Sequence, residues 1–282
     1  MTPADPATRP PAAPCRAVIL ARGLGKRMRQ SDAGARLDPA QAEAAEQGVK
    51  AMIPIGRPFL DYVLSALADA GCAEACLVIG PEHGSVRDYY TVERPPRRIA
   101  VSFAIQEEPL GTADAVLAAE EFAARRDFLM INSDNYYPVG ALRDLCELGE
   151  PGTTLFEREG LLRSSNIEPE RVRAYSVCTV GPDGYLTGIV EKPDPETLAA
   201  AGPNPLVSMN CWRFSEAIFG ACRDTPLSPR GEKELPRAVT EGVSSGRLRL
   251  RVLRRSDGVL DLSRRADVAS VAEGLRGIRV DP

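Results

Sequence analysis

The first half of the chain alternates short apolar runs with helical patterns, and this alternation constrains the fold more than any other feature. The apolar runs, rich in β-branched and aliphatic residues, are residues 16–21, 76–79, 101–105 and 128–131. Each is too short for a typical helix and is characteristic of a strand buried on both faces. Strands alternating with helices predict βαβ units around a largely parallel sheet, which defines an α/β protein.

The segments between these runs carry helix signals. Helices are predicted over residues 38–48, 58–70 and 112–124. In the first, Asp38 is placed to cap the helix N-terminus, with Pro39 at the first helical position. Gln41 would complete a capping box, and Gly48 would end the helix.

The second half of the chain has a different pattern. A turn sequence at residues 181–184 separates two strand-like stretches and predicts a hairpin. A further strand is predicted at 207–214, helices at 215–222 and 232–243, and a late strand near 248–253. Arginines alternate with apolar residues in that late strand, at 247, 249 and 251. Such alternation either lines a phosphate site or forms the solvent face of a strand, and we favour the solvent face.

Composition excludes several classes of protein. The net charge of −4 argues against a general nucleic-acid binder, and no apolar run is long enough for a membrane helix. Residues 1–15 contain prolines and no apolar core, so we interpret them as a disordered leader rather than a secretory signal. We expect one domain over residues 16–282 and a cytoplasmic location. The seven cysteines include no C-x-x-C pair, which favours reduced, ordinary thiols over disulfides or a zinc site.

The single histidine limits the available chemistry. His83 lies in a polar stretch and is expected at the surface. Mechanisms that need an imidazole base, and metal sites rich in histidine, are therefore disfavoured.

Polar clusters follow three of the predicted strands. Gly23 and Gly25 follow the first strand and are succeeded by Lys26 and Arg27, a pattern suited to binding phosphates. Gln106 follows the third strand, and Asp134 follows the fourth. Ligands of open parallel sheets bind outside the carboxyl ends of the strands, so these clusters are expected to line one site.

Taken in order, these motifs resemble those of the sugar-1-phosphate nucleotidyltransferases. The resemblance rests on residues 20–28 (LARGLGKRM), 50–55 (KAMIPI), 106–113 (QEEPLGTA), 132–135 (NSDN) and 191–193 (EKP), then Asn210, Gly231-Glu232 and residues 258–261. It spans about residues 16–275. It implies a Rossmann-like α/β fold, a largely parallel mixed sheet with helices on both faces.

The resemblance also implies residue roles. Nucleotide binding would fall to Leu20, Ala21, Gly23, Gly25, Lys26, Gln106, Gly111 and Thr112. The catalytic cations would be Arg27, Lys50 and Lys192, and Mg²⁺ would be held by Asp134 and Asp261. Sugar binding would fall to Glu191, Asn210 and Tyr175.

The implied reaction joins a nucleoside triphosphate, with UTP or dTTP favoured, to a sugar 1-phosphate. The ionised phosphate would attack the α-phosphorus in line and release pyrophosphate, so no strong base is needed. Two alternatives stay open: a nucleotide-sugar-binding regulatory protein without turnover, and a cytidylyltransferase with a non-sugar acceptor. A homo-oligomer also stays open.

Some features are peculiar to this chain. Three residues depart from the family pattern: Arg22 before the glycine loop, Ser133 ahead of the expected metal ligand Asp134, and Ser176 beside the expected sugar. The glycine-containing segment at residues 23–27 is called the phosphate loop below. The polar insert at residues 29–49 connects it to Lys50, and we expect this insert to form a mobile lid over the triphosphate.

Overall fold

The computed structural model describes residues 14–23, 25–30, 32, 34–35 and 37–282. Residues 1–13 of the predicted leader lie outside the described residues. Cys15, assigned to the leader from the sequence, is instead the first residue of a strand and pairs with Cys72. The boundary at residue 16 was therefore wrong by at least one residue.

The predicted strands are present, but the strand at Gly152–Glu157 was not predicted, and the late strand covers Arg251–Arg255 rather than residues 248–253. The strands are β1 (Cys15–Leu20), β2 (Pro54–Ile55), β3 (Arg57–Pro58), β4 (Cys72–Ile79), β5 (Ala100–Ile105), β6 (Phe128–Asn132), β7 (Asn135–Tyr136), β8 (Gly152–Glu157), β9 (Val177–Val180), β10 (Leu186–Val190), β11 (Leu206–Phe214), β12 (Arg251–Arg255) and β13 (Leu260–Asp261). A nine-stranded mixed sheet contains all of these except β2, β3, β7 and β13, which form two small pairs.

The helices are α1 (Lys26–Arg29), α2 (Pro39–Gln47), α3 (Phe59–Asp69), α4 (Gly84–Asp88), α5 (Thr112–Ala118), α6 (Glu120–Ala123), α7 (Val139–Glu147), α8 (Arg158–Ser164), α9 (Pro169–Arg173), α10 (Pro195–Ala200), α11 (Ala217–Asp224), α12 (Leu235–Ser244) and α13 (Asp267–Gly274). A 3₁₀ turn covers Lys50–Met52, and a π turn covers Tyr89–Glu93. The capping box predicted at Asp38 is present, and Gly48 closes α2 in the left-handed conformation. The helix predicted over 112–124 is interrupted at Ala119, which separates α5 from α6.

The order of the strands places the site. β5, β4, β1 and β6 are adjacent and parallel, so the chain moves outward from β1 to β5 and then returns to the other side of β1. The antiparallel strand β11 extends the sheet beyond β6 and leads to the hairpin of β9 and β10. The reversal beside β1 is a topological switch point, where ligands of open α/β sheets bind at the carboxyl ends of the strands.

Helices cover both faces of the sheet, as the fold class requires. Within β1, Ala17 and Ile19 pack into one core with α3, α7 and α13, whereas Val18 and Leu20 pack into the other with α5, α11 and α12. Successive residues of a strand point to opposite faces, so a strand that is apolar throughout serves two cores. The predicted Rossmann-like α/β fold is confirmed.

The arginine alternation of the late strand belongs to the solvent face, as we favoured. Arg247 pairs with Asp224 at 2.6 Å, and Arg251 pairs with Glu150 at 3.2 Å. The Arg249 guanidinium lies 3.6 Å from the centre of the Tyr185 ring. Among the described residues, no helix combines the length and apolar character that a membrane span would need.

Candidate active site

A cavity of about 470 Å³ opens at the carboxyl ends of β1 and β6. Most of the predicted site residues line it, namely Leu20, Gly23, Gly25, Lys26, Arg27, Lys50, Gln106, Gly111, Thr112, Asp134, Glu191 and Asn210. Ala21, Tyr175, Lys192 and Asp261 are not among its lining residues. Segments far apart in the sequence thus meet at the switch point.

The phosphate loop is held against the end of the polar insert. Gly25 has a φ of +59°, and a Cβ there would lie 2.4 Å from the Gly48 carbonyl oxygen. Only glycine accommodates both this backbone conformation and this close approach. Arg29 donates to the Gln47 carbonyl at 2.7 Å and adds a second contact between the loop and α2. The loop and the insert are therefore expected to move together.

The predicted lid can be tested on α2. Among its residues only Ala45 is buried, so few apolar contacts anchor this helix. We expect bound nucleoside triphosphate to increase the hydrogen-exchange protection of the α2 amides, while the fully packed helix α3 stays unchanged as a control. Equal protection of α2 with and without nucleotide would contradict a lid. Residues 31, 33 and 36 of the insert lie outside the described residues.

At one end of the cavity, the Gln106 side chain is fixed by two acceptors. Its amide nitrogen donates to the Gly111 carbonyl at 3.0 Å and to an Asp114 carboxylate oxygen at 2.8 Å. Both acceptors require the NH₂ group, so the orientation of the amide is set by its surroundings. No donor among the described residues reaches Gln106 Oε1. The side chain thus offers the cavity a hydrogen-bond acceptor and no donor.

Gly111 holds that segment in place. Its φ is +106°, and a Cβ there would lie 2.5 Å from the Lys233 carbonyl oxygen. Thr112 Oγ1 accepts from the Leu235 amide at 2.9 Å, which ties the start of α5 to the start of α12. This end of the cavity is therefore built from two segments more than a hundred residues apart in sequence.

Arg22 lies at the same end of the cavity. Its guanidinium donates to the Gln106 carbonyl oxygen and faces the Glu82 carboxylate with two contacts of 3.3 Å. The sequence marked Arg22 only as a departure from the family pattern. The structure places it in the wall of the cavity, held by its neighbours.

Lys50 and Asp134 form an ion pair inside the cavity, with side chains 18% and 21% exposed. Burial alone would lower the pKa of Lys50, but the adjacent Asp134 carboxylate outweighs that effect and the pKa lies above its ordinary value. Lys50 is therefore a permanent cation in the middle of the site.

Asp261 lies behind Asp134 rather than in the cavity wall. The two segments are neighbours, since Asp261 pairs with Asn135 between β13 and β7 and the Leu262 amide donates to the Asp134 carbonyl at 2.8 Å. Burial, together with the negative charge of Asp134, raises the pKa of Asp261. Two neighbouring carboxylates are suited to a divalent cation.

Other side chains already contact the Asp261 carboxylate. Arg171 donates to Oδ1 at 2.5 Å and also to Asp267 at 2.9 Å. Asn135 Nδ2 donates to Oδ2 at 3.1 Å, and the Tyr175 hydroxyl lies 3.4 Å from the same oxygen. The predicted sugar-binding residue Tyr175 therefore contacts Asp261, and its hydroxyl is half-buried behind the cavity. Arg171 was not predicted as a site residue, because a single arginine in a short helix gives no indication in the sequence that it contacts Asp261.

Two predicted site residues have a left-handed backbone, which is rare outside glycine. Lys192 has a φ of +45° and Asn210 a φ of +56°. At Asn210 the register between β11 and β8 shifts: four residue steps from Ser208 to Trp212 face two steps of β8. This bulge turns the Asn210 side chain into the cavity, where Trp212 Nε1 donates to its Oδ1 at 3.3 Å. Such strained positions cluster at functional sites.

Three charged residues of the loop before α12 also line the cavity: Arg230, Glu232 and Glu234. Arg230 pairs with Glu234 at 2.5 Å. Partial desolvation, together with the neighbouring Glu234, raises the pKa of Glu191. The Gly231-Glu232 motif was the one sequence signal for this part of the cavity, and no role was predicted for it.

His83 is less exposed than expected. Its side chain is 11% exposed, because Nδ1 accepts the Gly80 amide at 3.1 Å and closes the turn before α4. Burial lowers the pKa of His83. The expected surface histidine is thus half-buried, in the wall of a smaller cavity beside Arg22.

Comparison with known proteins gives a family match over most of the chain. The family model described as nucleotidyl transferase matches residues 16–262. A UTP–glucose-1-phosphate uridylyltransferase of Haloferax volcanii is 27% identical over 232 residues, which are 82% of this chain and 84% of that protein. A glucose-1-phosphate thymidylyltransferase of Streptomyces antibioticus is 28% identical over 239 residues, 82% of this chain and 58% of that protein. Several other curated relatives are also longer, and the chain spans about half of their length.

Solved structures share the fold. A UDP-glucose pyrophosphorylase complexed with UDP-glucose matches with a TM-score of 0.71 over 95% of this chain and 100% of that chain, at 18% identity. A UTP-bound enzyme of the same type from Acinetobacter baumannii matches with a TM-score of 0.70 over 95% of this chain and 96% of that chain, at 19% identity. At this level of identity the likeness supports the α/β nucleotidyltransferase fold and nothing finer.

Proposed function

Because the chain belongs to the nucleotidyl transferase family, we propose that it joins a nucleoside triphosphate to a sugar 1-phosphate, forming a nucleoside-diphosphate sugar and releasing pyrophosphate. The Lys50–Asp134 ion pair carries this proposal. It lies in the cavity that the phosphate loop and the strained residue Asn210 also line, where a nucleotide and a sugar phosphate would meet.

The residues of the cavity suit a reaction that depends on position and charge. A phosphate monoester is already ionised near neutral pH, so its oxygen can attack the α-phosphorus without a general base. Lys50 and Arg27 would neutralise the charge that builds up on the α-phosphate and the departing pyrophosphate. Lys192 would approach the sugar phosphate from the rim, since it is exposed beside the cavity-lining Glu191. Holding both substrates in line supplies much of the rate enhancement in such reactions.

Asp134 and Asp261 would hold Mg²⁺, which when bound would neutralise phosphate charge. The donor set fits, because Mg²⁺ is usually bound by one or two carboxylates together with substrate phosphates. Asp134 faces the cavity, and the Asp261 carboxylate lies directly behind it in the paired strands β7 and β13.

We further propose that the base is uracil or thymine. Gln106 presents only Oε1, which accepts a hydrogen bond from the N3–H that both of these bases carry. In the same pose the corresponding ring nitrogens of cytosine and adenine, which are acceptors, would face Oε1 unpaired at a cost of roughly 1–3 kcal/mol, and these bases would have to shift to present their exocyclic amino group instead. This argument disfavours a cytidylyltransferase. Guanine carries an N1–H that could also donate to Oε1, so the choice between guanine and the pyrimidines is made by testing GTP against UTP and dTTP.

The test is pyrophosphate release with Mg²⁺, with each nucleoside triphosphate and dTTP combined with a panel of sugar 1-phosphates. We expect UTP or dTTP to be used best, and we expect Gln106→Leu to lower kcat/KM for that nucleotide by about 10- to 100-fold. Arg87→Leu, an exposed change on α4 away from the cavity, is the control. Preferred use of CTP or ATP would overturn the assignment of the base.

A nucleotide-sugar-binding protein without turnover is the second candidate. Nucleotide binding with no pyrophosphate release for any acceptor in the panel would favour it over the transferase. The charged Lys50–Asp134 pair argues for turnover, because binding alone does not need a carboxylate beside the phosphates.

A further inference from the structure

Three cysteines from separate elements meet at the edge of the sheet opposite the cavity. Cys15 begins β1, Cys72 begins β4, and Cys146 lies in the last turn of α7. Their sulfur atoms all lie within 4.8 Å of one another, and the Cys72 and Cys146 sulfurs are 3.6 Å apart. These three cysteines are free thiols, as expected, but their convergence was not predicted, because it is created by the packing of β1, β4 and α7.

We propose that this three-cysteine cluster binds one thiophilic metal ion, Zn²⁺ or Cu⁺, through three thiolates. Thiolates are the ligands that select these ions over Mg²⁺ or Ca²⁺. With Zn–S bonds of about 2.3 Å, two sulfurs of a tetrahedral site lie roughly 3.8 Å apart. The observed sulfur spacing matches that value closely for one pair and is within about 1 Å of it for the others.

The chemistry of binding is a ligand exchange without a redox change. Each of the three thiols loses its S–H proton to solvent and forms one sulfur–metal bond. Cu⁺ would be satisfied by three thiolates, whereas Zn²⁺ would take solvent as its fourth ligand.

The surroundings suit such an ion. Three thiolates with Zn²⁺ carry one net negative charge, and the Arg213 guanidinium lies beside them, donating to the Cys146 carbonyl oxygen at 2.7 Å. Cys72 is 3% exposed, whereas Cys15 and Cys146 are only partly buried. The cluster is therefore shielded on one side and open to an entering ion on the other.

The position of the cluster separates this proposal from the proposed transferase activity. Cys15 and the cavity residue Leu20 lie at opposite ends of β1, roughly 16 Å apart at about 3.3 Å per residue. An ion there would join β1, β4 and α7 and stabilise the sheet edge. It would contact no substrate.

The experiment uses the full chain, reduced and then stripped of metal with a chelator. We expect titration with Co²⁺ to produce the thiolate charge-transfer absorption and to saturate at one ion per chain. Competition with Zn²⁺ against a chromophoric chelator, and with Cu⁺ against a Cu⁺-specific chelator, gives both affinities and identifies the preferred ion. We expect the bound ion to raise the unfolding temperature.

Two variants and one control decide the outcome. Cys15→Ala and Cys146→Ala should each lower the affinity at least tenfold, since loss of even an outer-shell partner costs about 10- to 100-fold. Cys76→Ala is the matched control, because Cys76 is buried in the same strand as Cys72 but lies outside the cluster. Absence of the thiolate absorption, or equal affinities in all three variants, would overturn the proposal. So would a Cys72–Cys146 disulfide that forms in air and is indifferent to added metal. Neither result would affect the transferase assay.

Discussion

Replacing Asp134 by asparagine is expected to lower kcat for pyrophosphate release by about 10³-fold or more. The change preserves the shape of the side chain and removes its charge. It thereby deprives Lys50 of its ion-pair partner and removes one of the two carboxylates proposed to hold Mg²⁺. Loss of a single charged group at a phosphoryl-transfer centre costs rates of this order.

Binding should respond differently from turnover. The phosphate loop and Gln106 do not depend on Asp134, so we expect nucleotide affinity, measured by calorimetry without acceptor, to change less than about tenfold. Removing the Asp134 charge also leaves burial to dominate at Lys50, so its pKa should fall. The alkaline limb of the kcat/KM profile, which reports the free enzyme, should then move to lower pH.

Asp224→Asn is the control for this variant. Asp224 is exposed, pairs with Arg247 and lies outside the cavity, so kcat should stay within about twofold of the wild-type value. Wild-type turnover in Asp134→Asn would contradict the proposed site, whatever the control shows. A loss in both variants would indicate misfolding, which thermal unfolding of each would reveal.

The sequence predicted the strands of the first half of the chain well because the apolar runs leave few alternatives. β1 and β6 are apolar on both faces, and only a parallel sheet covered by helices buries such strands. The cap at Asp38 was predictable from local chemistry alone. The break at Ala119 was not, because alanine is the strongest helix former and tertiary packing overrides that preference.

Site residues could be predicted where a motif directly follows a strand. They could not be predicted where folding brings together residues that are distant in the sequence. Gly25, Gln106 and Asp134 are found by that rule. Arg171 and the three-cysteine cluster depend on contacts between distant segments, which no local pattern encodes. Lys192 and Asn210 were found through motifs, but their left-handed backbone was not predicted: lysine gives no indication of it, and the known tolerance of asparagine for this region was not used.

Arg171→Met is expected to destabilise the fold by about 3–5 kcal/mol, the largest stability effect we predict. Arg171 is 9% exposed and bridges Asp261 and Asp267, whose side chains are 8% and 9% exposed. Breaking a buried ion pair by removing one partner leaves uncompensated charge, which costs more than the pair itself contributes. Arg173→Met is the matched control on the same helix, since Arg173 is exposed, and it should change stability by less than about 0.5 kcal/mol.

The pH dependence identifies the cause of that loss. The pKa of Asp261 in the folded chain already lies above its ordinary value of 3.8, because burial and Asp134 outweigh the Arg171 charge. Between the unfolded and folded pKa values the native state binds more protons, so stability falls as pH rises through that window. Without Arg171 the pKa of Asp261 in the folded chain rises further, and the pH window over which stability falls extends upward.

Denaturant unfolding should therefore show a larger loss of stability for Arg171→Met near pH 8 than near pH 5. Adding Asp261→Asn should restore part of the stability and reduce the pH dependence, because it removes one of the two buried carboxylates that lose Arg171 while Asp267 remains. A deficit independent of pH would instead assign the effect to lost packing of the arginine side chain.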